Sequence, residues 1–280
     1  QVSDNSEKFW LASYPSSVPP EIPALSYRSL GELFESCCVE YLPRVAFSSM
    51  GREMTYRELE VETRKVGAWL QAQGLEKGDR VAVMMPNVLQ NPVVTYAILR
   101  AGFVVVNVNP LYTPRELEHQ LKDAGAKAIF VLENFAHTVQ QVAAEVGLRH
   151  IVVTAMGDML GMKGHVVNLV VRKVKKLVPA WTIPSAIPFK KVLTEGSHLP
   201  LKPVDIDSND VAFLQYTGGT TGVSKGAALT HANLIANKMQ ISMWLEAAFE
   251  NRPRPEVLTF VCALPLYHIF ALTVNSLMGV

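Results

Sequence analysis

Cysteine is scarce in this sequence, and what there is forms no pattern. Cys37 and Cys38 are adjacent and Cys262 is remote, which excludes a disulfide framework and any metal-ligand spacing. Three thiols suit a reducing compartment, with core packing the expected role of each. A charge imbalance is also absent. The 26 basic and 25 acidic residues leave a net charge of +1, so nothing points to a nucleic-acid partner. The opening QVSDNSEKFW has neither the basic nor the apolar region of a signal peptide. Repeats and low-complexity tracts are missing. One long apolar run exists, residues 257–280, but Pro265, His268 and Asn275 interrupt it. Polar groups at mid-span are costly in lipid, so a buried strand, turn and buried helix are expected there. The run has no helix-ending signal, so a longer protein is expected.

What is present suffices for a large core. Hydrophobic residues make up 49% of the 280, enough for one or two domains. Residues up to about 26 are rich in Ser and Pro and are expected to run extended, pinned by Trp10 and Tyr14. Ser29 with Glu32 reads as a capping box opening a helix, and Met50-Gly51 as the turn of a short hairpin. From Thr55 onward capped helices alternate with apolar strands over 80–85, 103–108, 128–132 and 150–154. Thr113-Pro114-Arg115-Glu116 starts one of those helices and Gly125 ends it. The rhythm predicts an α/β fold, a parallel sheet covered on both faces.

Residues 158–195 break the rhythm. No acidic residue stands between Asp158 and Glu195, whereas Lys163, Arg172, Lys173, Lys175, Lys176, Lys190 and Lys191 are basic. Val167, Val170, Val171, Val174, Leu177, Val178 and Trp181 fall at helical spacing, so an apolar stripe is expected opposite a basic face. Such a helix over 163–181 fits an anionic membrane surface; it equally fits packing on the body with a solvated basic face. Pro179, Pro184 and Pro188 then mark a connecting loop. Thr230 caps a helix over 231–249, with His231 expected at the surface.

The stretch YTGGTTGVSKG, residues 216–226, carries the chemistry. It follows the apolar strand Val211-Ala212-Phe213-Leu214 and combines four glycines (Gly218, Gly219, Gly222, Gly226) with hydroxyl residues Thr217, Thr220, Thr221 and Ser224 and the cation Lys225. Glycine lets backbone N–H groups converge on an anion. Hydroxyls add donors and can ligate a hard cation, and lysine supplies a point charge. The spacing G-x-x-x-x-G-K-[ST] does not fit, since Val223 and Ser224 stand where its second glycine would. A Gly/Thr-rich surface turn would have the same composition; the order of the residues favours a polyphosphate cradle. Ala227 to Leu229 then read as a returning strand. A second candidate is LPLYHIFAL, residues 264–272, where His268 is expected just past a strand end, the usual ligand position of a parallel sheet. The run NVNPLYTPRELEHQL, residues 107–121, admits a functional reading, although a loop and helix cap account for its pattern.

YTGGTTGVSKG closely resembles the signature loop of the adenylate-forming enzymes, namely acyl-CoA synthetases, luciferases and peptide-synthetase adenylation domains. LPLYHIFAL resembles the second signature of acyl-CoA synthetases, and NVNPLYTPRELEHQL is similar to the corresponding stretch of bacterial long-chain fatty acid–CoA ligases. The resemblance implies part of the large N-terminal domain of such an enzyme. It divides the chain into an extended segment 1–28, a first α/β subdomain 29–205 with the basic insert, and an incomplete ATP-loop subdomain 206–280. It implies the substrates ATP, a fatty acid and CoA, with Mg2+. Tyr216, Thr217, Gly218, Gly219, Thr220, Thr221, Gly222 and Lys225 would hold ATP, with Thr217 meeting Mg2+. Lys225 and His268 would be catalytic, and Tyr267 and His268 would border the acid. Leu272 stands where some relatives carry a gating Trp. The family's acidic Mg2+ ligand, ribose-binding Asp, hinge and adenylation Lys have no counterpart here, so these 280 residues alone are expected to be catalytically incomplete. A cytoplasmic enzyme resting on the inner membrane face is implied. Medium-chain or aryl acids, or a nucleotide-binding membrane-surface module without catalysis, are the alternatives.

Overall fold

The computed structural model describes residues 8–217 and 224–279. The hairpin around Met50-Gly51 pairs β1 (Val45–Ser49) with β2 (Arg52–Thr55), and both turn residues have positive φ, 51° and 73°. That left-handed pair matches the strand twist. The remaining strands are β3 (Arg80–Met84), β4 (Val104–Asn107), β5 (Ala126–Leu132), β6 (His150–Thr154), β7 (Ala186–Pro188), β8 (Val211–Thr217) and β9 (Lys225–Thr230). They form one seven-stranded sheet in the order β7-β6-β5-β3-β4-β8-β9. Every pairing is parallel except β8 with β9.

The central strands are apolar on both faces, because helices cover both. Val81, Val83, Val105 and Phe130 pack with Phe34, Trp69, Tyr96 and Phe189 on one side. Those side chains come from α1 (Leu30–Glu40), α2 (Tyr56–Gln71), α3 (Gln90–Arg100) and the helix Phe189–Gly196. On the other side Ala82, Val106, Ile129 and Val131 meet Leu117 and Leu121 of α4 (Pro114–Ala124) and Val139 of α5 (Ala136–Val142). The caps form where the residues dictate. Thr55 with Glu58 and Thr113 with Glu116 make complete capping boxes, and Gly125 closes α4 in the left-handed region, φ 62°. Ser29 makes only half a box. Its Oγ accepts from Glu32 N, but the Glu32 carboxylate reaches Arg28 N.

Several expectations give way. The basic helix is shorter than its spacing suggests: α6 (Lys163–Leu169) passes into a wider turn, Val170–Val174, and Lys176 adopts φ 51°. The stripe splits accordingly. Val171 is buried, whereas Val174 and Leu177 are exposed beside Val166 and Leu169. Arg172 leaves the basic face to bind buried Glu133 bidentately, at 2.9 and 2.7 Å. The supposed connecting loop contains β7, whose edge position tolerates Pro188, followed by α7 (Phe189–Gly196).

His231 is buried, not at the surface, at the start of α8 (His231–Ala247). The run 257–264 is not a buried strand: β9 is the sheet edge, so no ladder receives it, and Val257 and Val261 are exposed. The rest of that run does bury a helical face through Ala271, Leu272 and Leu277. No helix among the described residues is long and apolar enough to cross a membrane. Near the start, Phe9–Ser13 winds into a 3-10 turn instead of running extended, and Trp10 stays half-exposed while Tyr14 packs edge-on to Trp244. Cys37 and Cys38 are buried, and burial pushes the Cys38 thiol up to about 12. Cys262 lies in the irregular loop, half-buried.

Candidate active site at the strand ends

Parallel strands deliver ligand-facing groups at their C-terminal ends. Here β8 ends in Thr217, and β9 returns from Lys225, with Thr217 and Lys225 as direct cross-strand partners. Both are exposed. The pairing sets a hydroxyl opposite a cation at the mouth of the Gly/Thr-rich stretch. Gly218, Gly219, Thr220, Thr221 and Gly222 lie outside the described residues. Gly226 sits against the Tyr216 ring, where an added Cβ would stand 2.8 Å from Tyr216 Cζ. Only glycine lets β9 lie there.

Helix α4 fixes both flanks. Tyr216 Oη donates to Asp123 Oδ2 at 2.5 Å; burial and that carboxylate push the phenol well above its ordinary range. His119 Nε2 lies 3.1 Å from the Ser224 carbonyl, which can only accept, so Nε2 carries a proton. Ser224 Oγ donates to the Thr217 carbonyl at 2.9 Å, closing the neck of the hairpin.

His268 is not at a strand end. It precedes the helical turn Ile269–Ala271, exposed, in a loop without regular structure. Two amide side chains hold that loop. Asn87 donates to the Cys262 and Leu264 carbonyls at 3.0 and 2.9 Å and accepts from Leu266 N at 2.8 Å. Gln215 Nε2 donates to the Tyr267 carbonyl at 2.7 Å. Thus the structure ties Tyr267 and its neighbour His268 to β8, the strand that ends in Thr217.

Sequence reasoning did not select Gln215, Asn87, His119 or Asp123. Gln215 did leave a signal, as an amide inside an otherwise apolar strand, and His119 lies within the 107–121 run. Asn87 and Asp123 left none, because their partners are distant in sequence. Among the described residues no cluster of His, Cys, Asp or Glu could hold a metal. Thr217, the residue expected to meet a metal, is exposed at the end of β8 and offers one hydroxyl oxygen.

The profile of the family described as AMP-binding enzyme matches residues 34–280. The chain belongs to that family. Among relatives of this AMP-binding enzyme chain, the long-chain-fatty-acid–CoA ligases of Yersinia pestis and Salmonella typhimurium are each 52% identical over 274 residues. The match covers 97% of this chain and 48% of each of them, so the chain spans about half the length of these relatives. In fold it resembles a long-chain-fatty-acid–CoA ligase from Archaeoglobus fulgidus, with TM-score 0.67 and 23% identity over 93% of this chain and 47% of that one.

Proposed function

We propose that this AMP-binding enzyme chain carries the ATP and acid sites of an AMP-forming ligase that joins a long-chain fatty acid to CoA. The observation that carries the reading is the arrangement around β8. Thr217 and Lys225 face each other across the hairpin neck, and the His268 loop is bonded to Gln215 two residues before Thr217. The names and identity of the bacterial relatives support the substrate class.

In this reading the carboxylate attacks the ATP α-phosphate, giving acyl-adenylate and pyrophosphate, and the CoA thiol then displaces AMP. The reacting groups are anions that repel one another, so positioning and charge neutralisation dominate over any protein nucleophile. Gly218 to Gly222, with Thr220 and Thr221, grip the β- and γ-phosphates through backbone and hydroxyl donors. Lys225 supplies the compensating charge. Thr217 meets Mg2+, which when bound neutralises the phosphate oxygens. His268 faces the carboxylate and Tyr267 borders it. The site works in the cytoplasm, with the basic segment 163–181 resting against an anionic membrane surface.

The test is acid-dependent ATP–pyrophosphate exchange on the full-length protein with palmitate, octanoate or benzoate. Exchange is expected to be strongest with palmitate, and Lys225→Ala should lower it about ten- to a hundredfold. Preference for octanoate or benzoate would assign a medium-chain or aryl acid ligase. ATP binding without exchange for any acid would sink the catalytic reading.

A further inference from the structure

The irregular loop that carries His268 has no sheet ladder to hold it, yet its backbone is tied at several points. Asn87 supplies three of those ties, and the remaining one, at Tyr267, ends a line of buried amides crossing the strand ends. Gln120 of α4 donates to the Asn107 carbonyl at 2.7 Å. Asn107 Nδ2 donates to Gln215 Oε1 at 3.1 Å, and Gln215 Nε2 donates onward to the Tyr267 carbonyl at 2.7 Å. All three amides are at least 94% buried. Asn107 and Gln215 are also direct partners in the parallel β4–β8 ladder, so backbone pairing aligns the side-chain bond. An amide is needed at position 215, because one end must accept from Asn107 while the other donates to a carbonyl.

The geometry has a directional consequence. Side chains alternate across a strand. Phe213 packs in the cluster with Phe34 and Tyr96, whereas Tyr216 packs in the opposite cluster. Gln215 therefore shares the face of Phe213 and of Thr217. Gripping the Tyr267 carbonyl brings the His268 loop to the same face as the Thr217 hydroxyl.

We propose that Gln215 is a positioning residue, supported by Asn107 and by Asn87, that holds the His268 loop in register with the Thr217–Lys225 neck. It touches no reacting atom; it sets where the acid-facing loop stands relative to the phosphate-facing strand. The assignment of those two faces rests on the proposed function, while the tie itself does not.

Gln215→Met removes both bonds at nearly constant volume. Gln215→Glu keeps the acceptor for Asn107 but loses the donor to Tyr267. Hydrogen exchange followed by mass spectrometry on this chain is expected to show amides in 262–272 exchanging about tenfold faster in both variants, with 126–132 unchanged. In the full-length protein the same variants should lose about tenfold in kcat/KM for the fatty acid, with less change in the dissociation constant of MgATP. Asn87→Ala, acting on the same loop from the connection between β3 and α3, should reproduce the acid-side loss. Unchanged exchange in 262–272, or acceleration spread evenly over the chain, overturns the positioning role. So does an equal loss in ATP and acid terms. Loosening of 262–272 in a protein whose wild type shows no acid-dependent exchange would uphold the tie and overturn the functional reading.

Discussion

His231 shows how one side chain ties distant parts of the chain. Its Nδ1 accepts from Leu30 N at 3.1 Å and its own N donates to the Asp210 carbonyl. The ring is therefore neutral with its proton on Nε2, and a second proton would face the Leu30 N–H. Burial, with Lys77 adding to it against the pull of Asp210, holds the ring down to about 4. The unfolded ring titrates near 6.5. Between those values the unfolded state binds more protons, so this stability is whole above pH 6.5 and is lost as pH falls toward about 4. Urea unfolding of the wild type should lose about 2–3 kcal/mol from this group between pH 7 and 4.5. His231→Asn, whose Oδ1 can accept the same N–H, should flatten that slope. Identical slopes in the two proteins would place the pH dependence in other groups.

At the scale of elements, legibility followed locality. The hairpin, the capping boxes at Thr55 and Thr113, Pro114 and Gly125 read correctly because their partners lie within one turn in sequence, while the Ser29 box formed only by half. The basic segment did not, because its helical spacing continues past the point where Lys176 turns away and Arg172 pairs with Glu133. What remains is an exposed strip of Met162, Val166, Leu169, Val174 and Leu177 beside Lys173, Lys175 and Lys176. Apolar burial at a lipid surface adds to roughly 1 kcal/mol for each nearby lysine. Co-sedimentation with phosphatidylserine vesicles should fall at least tenfold when these three lysines become Gln. Equal binding would leave the strip as ordinary surface. The close packing of α2 on α7 was equally hidden. Gly196 touches the Lys65 carbonyl so closely that an added Cβ would stand 2.0 Å from it.

For the whole molecule, the expected division at 205/206 falls within one sheet. β8 pairs with β4, and Leu234, Ile235 and Leu272 share a cluster with Leu30, Phe34 and Tyr96. We propose that residues 29–205 and 206–279 are subdomains of one cooperative unit. Urea unfolding of the chain should then give coincident transitions by far-UV circular dichroism and tryptophan fluorescence. Two separated transitions would make them independent folding units.

The α/β class, the alternation of strands and helices, and the choice of candidate site residues were all legible along the chain. Each of those depends on period, caps or contiguous motif, which are local properties. The strand order, the burial of His231, the loss of the 257–264 strand and the amide line through Gln215 emerge only in the folded chain. Those depend on contacts between residues far apart in the chain. The spacing of Asn107, Gln120, Gln215 and Tyr267 has no period to read; the packing of α4 and the 262–268 loop on the sheet makes them neighbours.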